Sequence, residues 1–294
     1  MVLVMRRWRL NSGYNATTDQ RRTLAGTIPM LKHNMERNLG AFEFITFDAD
    51  AVAYITAVET ADTQALEGAV TTAINDFVVG CKADGIWNAM KATCILAGAR
   101  TLAGALVPLK GTAPTNFNFI SGDYNRKTGL VGNASTKYLN SNRSYTVDPQ
   151  NSFHSSVYVS TAGSADTQMY IGGQGTSSSC TNDIYRQSGI AIRNRGDSSG
   201  RFGDGSSTGF MGSSRNSSSS YSVRVGGTST ESATNSVSLS TSQSLYLFAR
   251  NNNGSMNLPS NARLAFYSIG EALNLALFNT RVTNLINAYA AAIA

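Results

Sequence analysis

The clearest strand pattern in the sequence lies between Gly129 and Ser160. Near its end, Val157 and Val159 alternate with serine and tyrosine. This period-2 alternation predicts a strand with the valines on one face and polar side chains on the other, which is the pattern of a half-buried strand. We therefore interpret the stretch as the opening of a β-domain, and it contains no evident reaction centre.

Short alternating segments recur through the second half of the chain, between runs rich in Ser, Gly and Asn. They are residues 156–160, 169–171, 190–192, 221–225, 245–250 and 263–269. Such regular spacing is typical of a sandwich with long loops rather than of low-complexity disorder. The sequence Asn252-Asn253-Gly254 predicts a tight hairpin turn, because Asn and Gly both tolerate positive φ.

Helical periodicity occurs at two places. One apolar stripe at helical spacing predicts an amphipathic helix; it comprises Leu66, Val70, Ile74, Phe77, Val78 and Cys81. Ile86, Met90 and Cys94 continue the spacing, so we predict two or three helices packed as a hairpin over residues 48–98. Residues 271–294 predict a C-terminal helix.

These patterns divide the chain into three segments. Residues 1–47 contain isolated hydrophobic side chains without a periodic element, which predicts an extended arm. Residues 48–111 form the helical block and a connector with Pro and Gly, and residues 112–294 form a β-sandwich that ends in the C-terminal helix. The predicted fold class is therefore mainly β, with a small helical block.

Composition adds information about the surface. Charged residues make up 14% of the chain, against about 25% in an average protein. A surface of neutral polar side chains suits coverage by other subunits or contact with sugars, and it is also common in turn-rich β-proteins.

The net charge is +6, without a basic block dense enough to predict nucleic-acid binding. The basic arm offers candidate assembly contacts with an acidic partner surface, and the alternative is an ordinary solvated arm. These candidates are Arg6, Arg7, Trp8, Arg9, Arg21 and Arg22.

The three cysteines, Cys81, Cys94 and Cys180, form no CxxC pair. They predict neither a disulfide framework nor a zinc site, and we interpret Cys81 and Cys94 as small core residues. The chain contains no apolar run long enough to predict a membrane span, and its first ten residues lack the order of a secretory signal. We therefore expect no membrane partner, and a product that stays in the cell that makes it until it is assembled or released.

Two segments carry a family resemblance. The sequence GLVGNASTKYL at residues 129–139 resembles the opening strand of concanavalin-A-like, laminin-G-type jelly rolls, and residues 262–289 resemble their closing strand and helix. Together with residues 53–102, the closing segment is similar to structural proteins of tailed bacteriophages. The resemblance covers residues 48–294 and implies an antiparallel jelly-roll sandwich in a virion component such as a decoration, tail or fibre protein.

The residues argue against an enzyme. Related jelly-roll glucanases cleave glycosidic bonds with paired carboxylates, whereas residues 112–263 contain a single glutamate, Glu231, and no E-x-D-x-x-E arrangement. We therefore predict no catalytic residues and no cofactor. A Ca²⁺ site is an open alternative, because loop carboxylates and amides supply suitable oxygen ligands. The candidate ligands are Asp123, Asn125, Asp183, Asp197 and Asp204.

Aromatic residues within the polar loops are candidate glycan contacts, with sandwich core or subunit contact as the alternative. These candidates are Tyr185, Phe202, Phe210 and Tyr221.

The predicted function is a non-enzymatic virion structural protein, most simply a capsid decoration (cement) protein that exposes a lectin-like jelly roll. The alternative is a tail or fibre protein that binds host glycans, and a weaker third is a depolymerase. We expect capsid or tail proteins as partners, a homo-oligomer such as a trimer, and assembly in the host cytoplasm followed by residence in the virion.

Overall fold

Two β-sheets and a layer of helices make up the structure, a computed structural model that describes residues 46–144, 146–175, 181–196, 200–238 and 243–294. Residues 47–294 form one compact unit. The predicted arm, including all of its candidate contacts, lies outside the described residues except at its last two positions.

Sheet A has the strand order β14-β13-β12-β7-β18-β1-β2, and β4 and β5 attach to it through β18. Its strands are β1 Met90–Ile95, β2 Pro108–Lys110, β4 Tyr124–Asn125, β5 Gly129–Val131, β7 Phe153–Thr161, β12 Gly209–Arg215, β13 Tyr221–Val225, β14 Thr228–Ser232 and β18 Arg263–Gly270.

Sheet B has the strand order β11-β10-β9-β8-β15-β6-β3, and β16 and β17 attach to it through β8. Its strands are β3 Thr115–Phe117, β6 Tyr138–Ser144, β8 Met169–Gln174, β9 Thr181–Arg186, β10 Ile190–Gly196, β11 Gly200–Phe202, β15 Ser244–Leu247, β16 Arg250–Asn252 and β17 Ser255–Asn257. Pairing is antiparallel throughout both described sheets except between β16 and β8.

The α-helices are α1 Ala49–Asp62, α2 Gly68–Ala83, α3 Leu102–Ala105 and α4 Leu275–Ala292. Side-chain caps fix where two of them begin: Asp48 Oδ1 accepts from the amide of Asp50, and Asn274 Oδ1 accepts from the amides of Ala276 and Leu277. These caps satisfy amide groups that have no partner inside a helix.

Two hydrophobic cores hold the three layers together. Between the sheets, β7 and β18 contribute Val157 and Ile269, which pack with Ile184 and Leu247 of sheet B. On the other side of sheet A, the helices pack on the sheet around Phe278 of α4, a fully buried side chain. The ring centroid of Phe278 lies 5.7 Å from that of Phe266 on β18 and 5.7 Å from that of Phe210 on β12, and 6.5 Å from that of Phe77 on α2.

The predicted mainly β class, the antiparallel jelly-roll sandwich and the C-terminal helix are confirmed. So is the hairpin turn: Asn252 pairs with Ser255, and the two turn residues have φ of 49° at Asn253 and 91° at Gly254.

The prediction of helix through residues 86–98 is wrong. Met90–Ile95 is strand β1, which lies between β18 and β2 in sheet A. The strand is buried against helices on one face and against the second sheet on the other, so its apolar residues do not alternate with polar ones. The sandwich therefore begins at Met90 rather than at residue 112, and the helical block shares its core.

The half-buried interpretation of β7 is also wrong. Val157 and Val159 face the inter-sheet core as predicted, but His154 and Ser156 on the opposite face are fully buried too. The helical layer covers this face. Small polar side chains are accommodated there because some of them bond to each other: His154 Nε2 lies 2.9 Å from Ser268 Oγ, which lies 2.8 Å from Thr93 Oγ1.

Candidate functional site

The outer face of sheet B is the broad sheet surface that no described helix covers. Cross-strand register places one row of residues across it: Thr115, Asn140, Tyr246, Gly172, Asp183 and Arg193. Phe117 and Tyr138 form the next pair along the same face, and Arg250 of β16 pairs with Gly172. We call these residues, with Tyr185 and Asn257, the open face.

Three aromatic rings lie side by side at one end of the open face. The rings of Phe117 and Tyr138 are stacked, with centroids 4.3 Å apart and an interplanar angle of 5°. The centroids of Tyr138 and Tyr246 are 4.7 Å apart. Phe117 and Tyr138 are half-buried, and Tyr246 is 7% exposed. Burial raises the pKa of both tyrosines, so their hydroxyl groups are neutral hydrogen-bonding groups.

Polar side chains border this aromatic row. Asn140 lies in the same strand as Tyr138, and its Oδ1 accepts from Ser244 Oγ at 2.6 Å. Thr115 lies opposite Asn140, and its hydroxyl lies 2.9 Å from Nδ2 of Asn142. The aromatic row therefore has amide and hydroxyl groups beside it that are held in place by one another.

An ion pair occupies the other end of the open face. The carboxylate of Asp183 is fully buried and accepts two hydrogen bonds from Arg193, at 3.0 Å from Nε and 2.5 Å from Nη2. The guanidinium of Arg193 lies over the ring of Tyr185, 5.6 Å from its centroid. Burial raises the pKa of Asp183, and the adjacent guanidinium opposes that shift.

Gly172 lies between the aromatic row and the ion pair. A Cβ at this position would lie 3.3 Å from the side chain of Arg250 and 3.3 Å from that of Asp183. The absent side chain lets the stem of Arg250 lie against the sheet. Arg250 is half-buried, and its Nε donates to Oδ1 of Asn257 at 3.1 Å.

The predicted aromatic glycan contacts fall in different places. Tyr185 does lie on the open face, beneath Arg193 and 7% exposed. Phe202 packs at the edge of the inter-sheet core. Phe210 is 2% exposed under Phe278, and Tyr221 is fully buried with its hydroxyl donating to the carbonyl of Ile192. Phe210 and Tyr221 cannot stack on a sugar, because both lie inside the packed layers.

Sequence reasoning missed Phe117, Tyr138 and Tyr246 as a group. Part of the sequence did indicate where two of these rings lie, because Tyr138 and Tyr246 each precede a leucine that faces the inter-sheet core. By alternation, an aromatic residue next to such a leucine lies on the opposite face. The sequence does not reveal that this opposite face is uncovered.

The described Ca²⁺ candidates are each bound within the protein. Asp123 lies 2.5 Å from Lys137 Nζ and accepts from the amide of Ile120. Asn125 and Asp204 accept from amides of their own loops, and Asp183 binds Arg193. Asp197 lies outside the described residues. Within the described ranges, no three His, Cys, Asp or Glu side chains are grouped to hold a metal ion.

The sequence contains two matches to G-x-S-x-G, at residues 196–200 and 205–209. A nucleophile elbow requires a turn from a strand into a helix, whereas the second match leads into strand β12. Residues 197–199 of the first match lie outside the described residues. His154, which could serve a serine nucleophile, is fully buried under the helices. Of the helices that the structure describes, none has the length and apolarity to cross a membrane.

A cleft of about 440 Å³ lies between the edge of sheet A and the start of α4, lined by Ser214, Asn216, Ser222 and Leu273 among others. Asn274 caps the first amides of α4 there, and Ser214 Oγ accepts from the amide of Leu273. The groups at this helix start are therefore already bonded within the protein.

Several solved structures are similar to this chain. The botulinum neurotoxin serotype D binding domain matches with a TM-score of 0.46 and 8% identity, over 70% of this chain and 52% of that one. Domain 4 of AbnA, a GH43 extracellular arabinanase from Geobacillus stearothermophilus solved with arabinotriose, matches with a TM-score of 0.36 and 13% identity, over 60% of this chain and 82% of that one. The CBM40 of the Ruminococcus gnavus IT-sialidase matches with a TM-score of 0.33 and 10% identity, over 44% of this chain and 81% of that one.

The match to the NanB sialidase from Streptococcus pneumoniae spans 27% of that enzyme, with a TM-score of 0.33. The sequence matches no protein-family model and no curated protein.

Proposed function

We propose that this protein is a non-catalytic saccharide-binding protein whose binding surface is the open face of sheet B. The observation that carries the proposal is the row of Phe117, Tyr138 and Tyr246 on a sheet face without a described helix, with Phe117 and Tyr138 half-buried and polar side chains beside them. Sugar rings have apolar C–H faces that pack on aromatic rings and hydroxyl groups that bond to amides and hydroxyls. Both kinds of partner lie next to each other on this face.

Charge on the open face supports binding without hydrolysis. Glycosidases of the common type need two carboxyl groups on either side of the scissile bond. The described open face carries one carboxylate, Asp183, and Arg193 holds both of its oxygens. A carboxylate fixed in this way is poorly placed to act as a nucleophile or a proton donor.

The setting we propose is the virion of a tailed phage, which rests on the sequence resemblance of residues 48–294. Within it, the open face favours host-glycan recognition over the capsid-decoration role that the sequence first suggested. Particles assembled without the protein separate the two roles. Loss of attachment with unchanged head stability supports recognition, and loss of head stability with normal attachment supports decoration.

A glycan array probed with the full-length protein tests the binding proposal. We expect at least one saccharide to bind, and Tyr138→Ala to weaken that binding at least tenfold. Phe202→Ala is the matched control, since it removes a partly buried aromatic ring from the inter-sheet core and leaves the open face intact. Absence of any saccharide binding at millimolar concentrations, with a folded protein by circular dichroism, would overturn the proposal.

The predicted anchoring role of the arm is a separate proposal. Deleting residues 1–47 is expected to leave a folded protein that no longer joins the particle, and normal incorporation would contradict an anchoring role. Light scattering on the full-length protein tests the predicted homo-oligomer.

A further inference from the structure

The positive charges on the open face exceed the negative ones. Asp183 faces two guanidinium groups, those of Arg193 and Arg250. Its two oxygens bond to Arg193 in the paired geometry that guanidinium and carboxylate groups favour. The charge of Arg250 is left without a carboxylate of its own, and no described acidic side chain other than Asp183 acts on it.

Arg250 is also partly removed from water. Its stem lies over Gly172, and burial lowers the pKa of the guanidinium, which means that its surroundings disfavour the charged form. A half-buried cation without a full counter-charge gains from binding an anion, because the ion replaces lost hydration with a direct contact.

The geometry of the guanidinium narrows the kind of anion. Nε is occupied by Asn257 Oδ1, and within the described chain no hydrogen bond is formed by the two terminal nitrogens. These two nitrogens make a planar fork that matches the two oxygens of a carboxylate. The hydrogen bond from Nε to Asn257 fixes the plane of the fork.

The fork lies beside the aromatic row. Gly172 of β8 pairs with Tyr246 of β15 and also with Arg250 of β16. Tyr246 and Arg250 are therefore neighbours on the open face. The ring of Tyr246 contacts that of the half-buried Tyr138, so Arg250 lies close to the ring on which a sugar would pack.

We propose that the ligand of the open face is an acidic saccharide, and that Arg250 binds the carboxylate of one of its sugar units. This inference rests on the proposed saccharide-binding function and adds the chemical class of the ligand. Arg193 is less suited to this role, because Asp183 already occupies its Nε and Nη2.

The experiment uses a panel in which each acidic polysaccharide is paired with its carboxyl-reduced form. Polygalacturonate, hyaluronan and polysialic acid serve as probes, with dextran sulfate as an anion that lacks carboxylates, and binding to the full-length protein is measured by calorimetry. We expect at least one acidic polymer to bind about ten- to a hundredfold more tightly than its reduced form, as for a hydrogen bond to a charged group.

Three variants assign the effect to Arg250. Arg250→Gln is expected to remove the preference for the acidic form, and Arg250→Lys to restore part of it, since lysine keeps the charge without the fork. The matched control is Arg224→Gln, which removes a half-buried arginine from sheet A and should leave affinity within twofold.

The outcomes separate the two proposals. Tight binding of a neutral saccharide that Tyr138→Ala abolishes and Arg250→Gln leaves unchanged would overturn the acidic ligand and keep the saccharide-binding function. Binding of dextran sulfate as tight as that of the best carboxylated polymer would overturn the carboxylate assignment. If no member of the panel or of the neutral array binds, both proposals fail.

Discussion

The outer faces of the two sheets differ in the kind of aromatic residue that they carry. Sheet A presents Phe210 and Phe266 to the helical layer, where Phe278 fills the space between them. Sheet B carries Tyr138, Tyr246 and arginine side chains on its outer face, where Tyr138 and Arg250 are half-buried and Tyr246 is buried. Phenylalanine suits a dry interface, whereas tyrosine and arginine combine an apolar body with a polar tip that remains hydrated.

The comparison shows that the covering layer decides the role of a sheet face in this protein. The helical layer makes the outer face of sheet A part of the core. The outer face of sheet B has no described helix packed on it. The predictions below test this difference, from the largest expected effect to the smallest.

The covered face depends most on Phe278. Replacing it with alanine should lower the free energy of unfolding by about 3–5 kcal/mol, because the side chain is fully buried and its loss leaves a cavity. Urea denaturation measures the effect. Leu277→Ala is the matched control, since Leu277 is 39% exposed on the same helix; equal losses for both variants would contradict a dry helix–sheet interface.

On the open face, the ion pair is expected to be the main polar contribution to stability. Asp183→Asn should destabilise the protein by about 2–3 kcal/mol, because Arg193 would lose a charged partner that is fully buried. The exposed loop change Asp166→Asn should leave the free energy of unfolding unchanged. A stable Asp183→Asn variant would show that solvent replaces the carboxylate readily at this face.

The covered face also predicts a pH dependence. Burial lowers the pKa of His154 to about 4, from about 6.5 in an unfolded chain. Between these values the unfolded state takes up a proton that the folded state does not, so stability is full above pH 6.5 and falls as the pH drops toward 4. The loss at pH 5 is about 2 kcal/mol.

Urea denaturation at pH 7, 6 and 5 measures this slope. His154→Gln keeps His33, so the difference between the two proteins isolates the contribution of His154. Parallel curves for the two proteins would mean that His154 takes up its proton at the same pH in the folded and unfolded states.

The smallest expected effect on stability belongs to Tyr138 on the open face. Tyr138→Ala should cost about 1 kcal/mol, the value of its contacts with the rings of Phe117 and Tyr246, because the side chain is half-buried. A loss as large as that of Phe278→Ala would indicate that the open face is covered in solution, for example by another copy of the chain.

Some features could be predicted because they are local. The turn at Asn253 and Gly254 has positive φ at both residues, which these two residue types adopt at low cost. Alternation along β7 correctly placed Val157 and Val159 on the inter-sheet side. The apolar stripe on Leu275–Ala292 predicted a helix because its buried residues recur at helical spacing.

The amino-acid sequence by itself thus determined the class of the fold, six of the described strands, one turn and the C-terminal helix. Only the tertiary structure decided that Met90–Ile95 is a strand, because a segment buried on both faces loses the alternation that distinguishes strand from helix. Only the tertiary structure brought Tyr138, Tyr246 and Arg250 together, since strand pairing between distant residues sets their contacts. Periodicity records that a residue is buried or exposed, and the layer that lies against it depends on the packing of the whole chain.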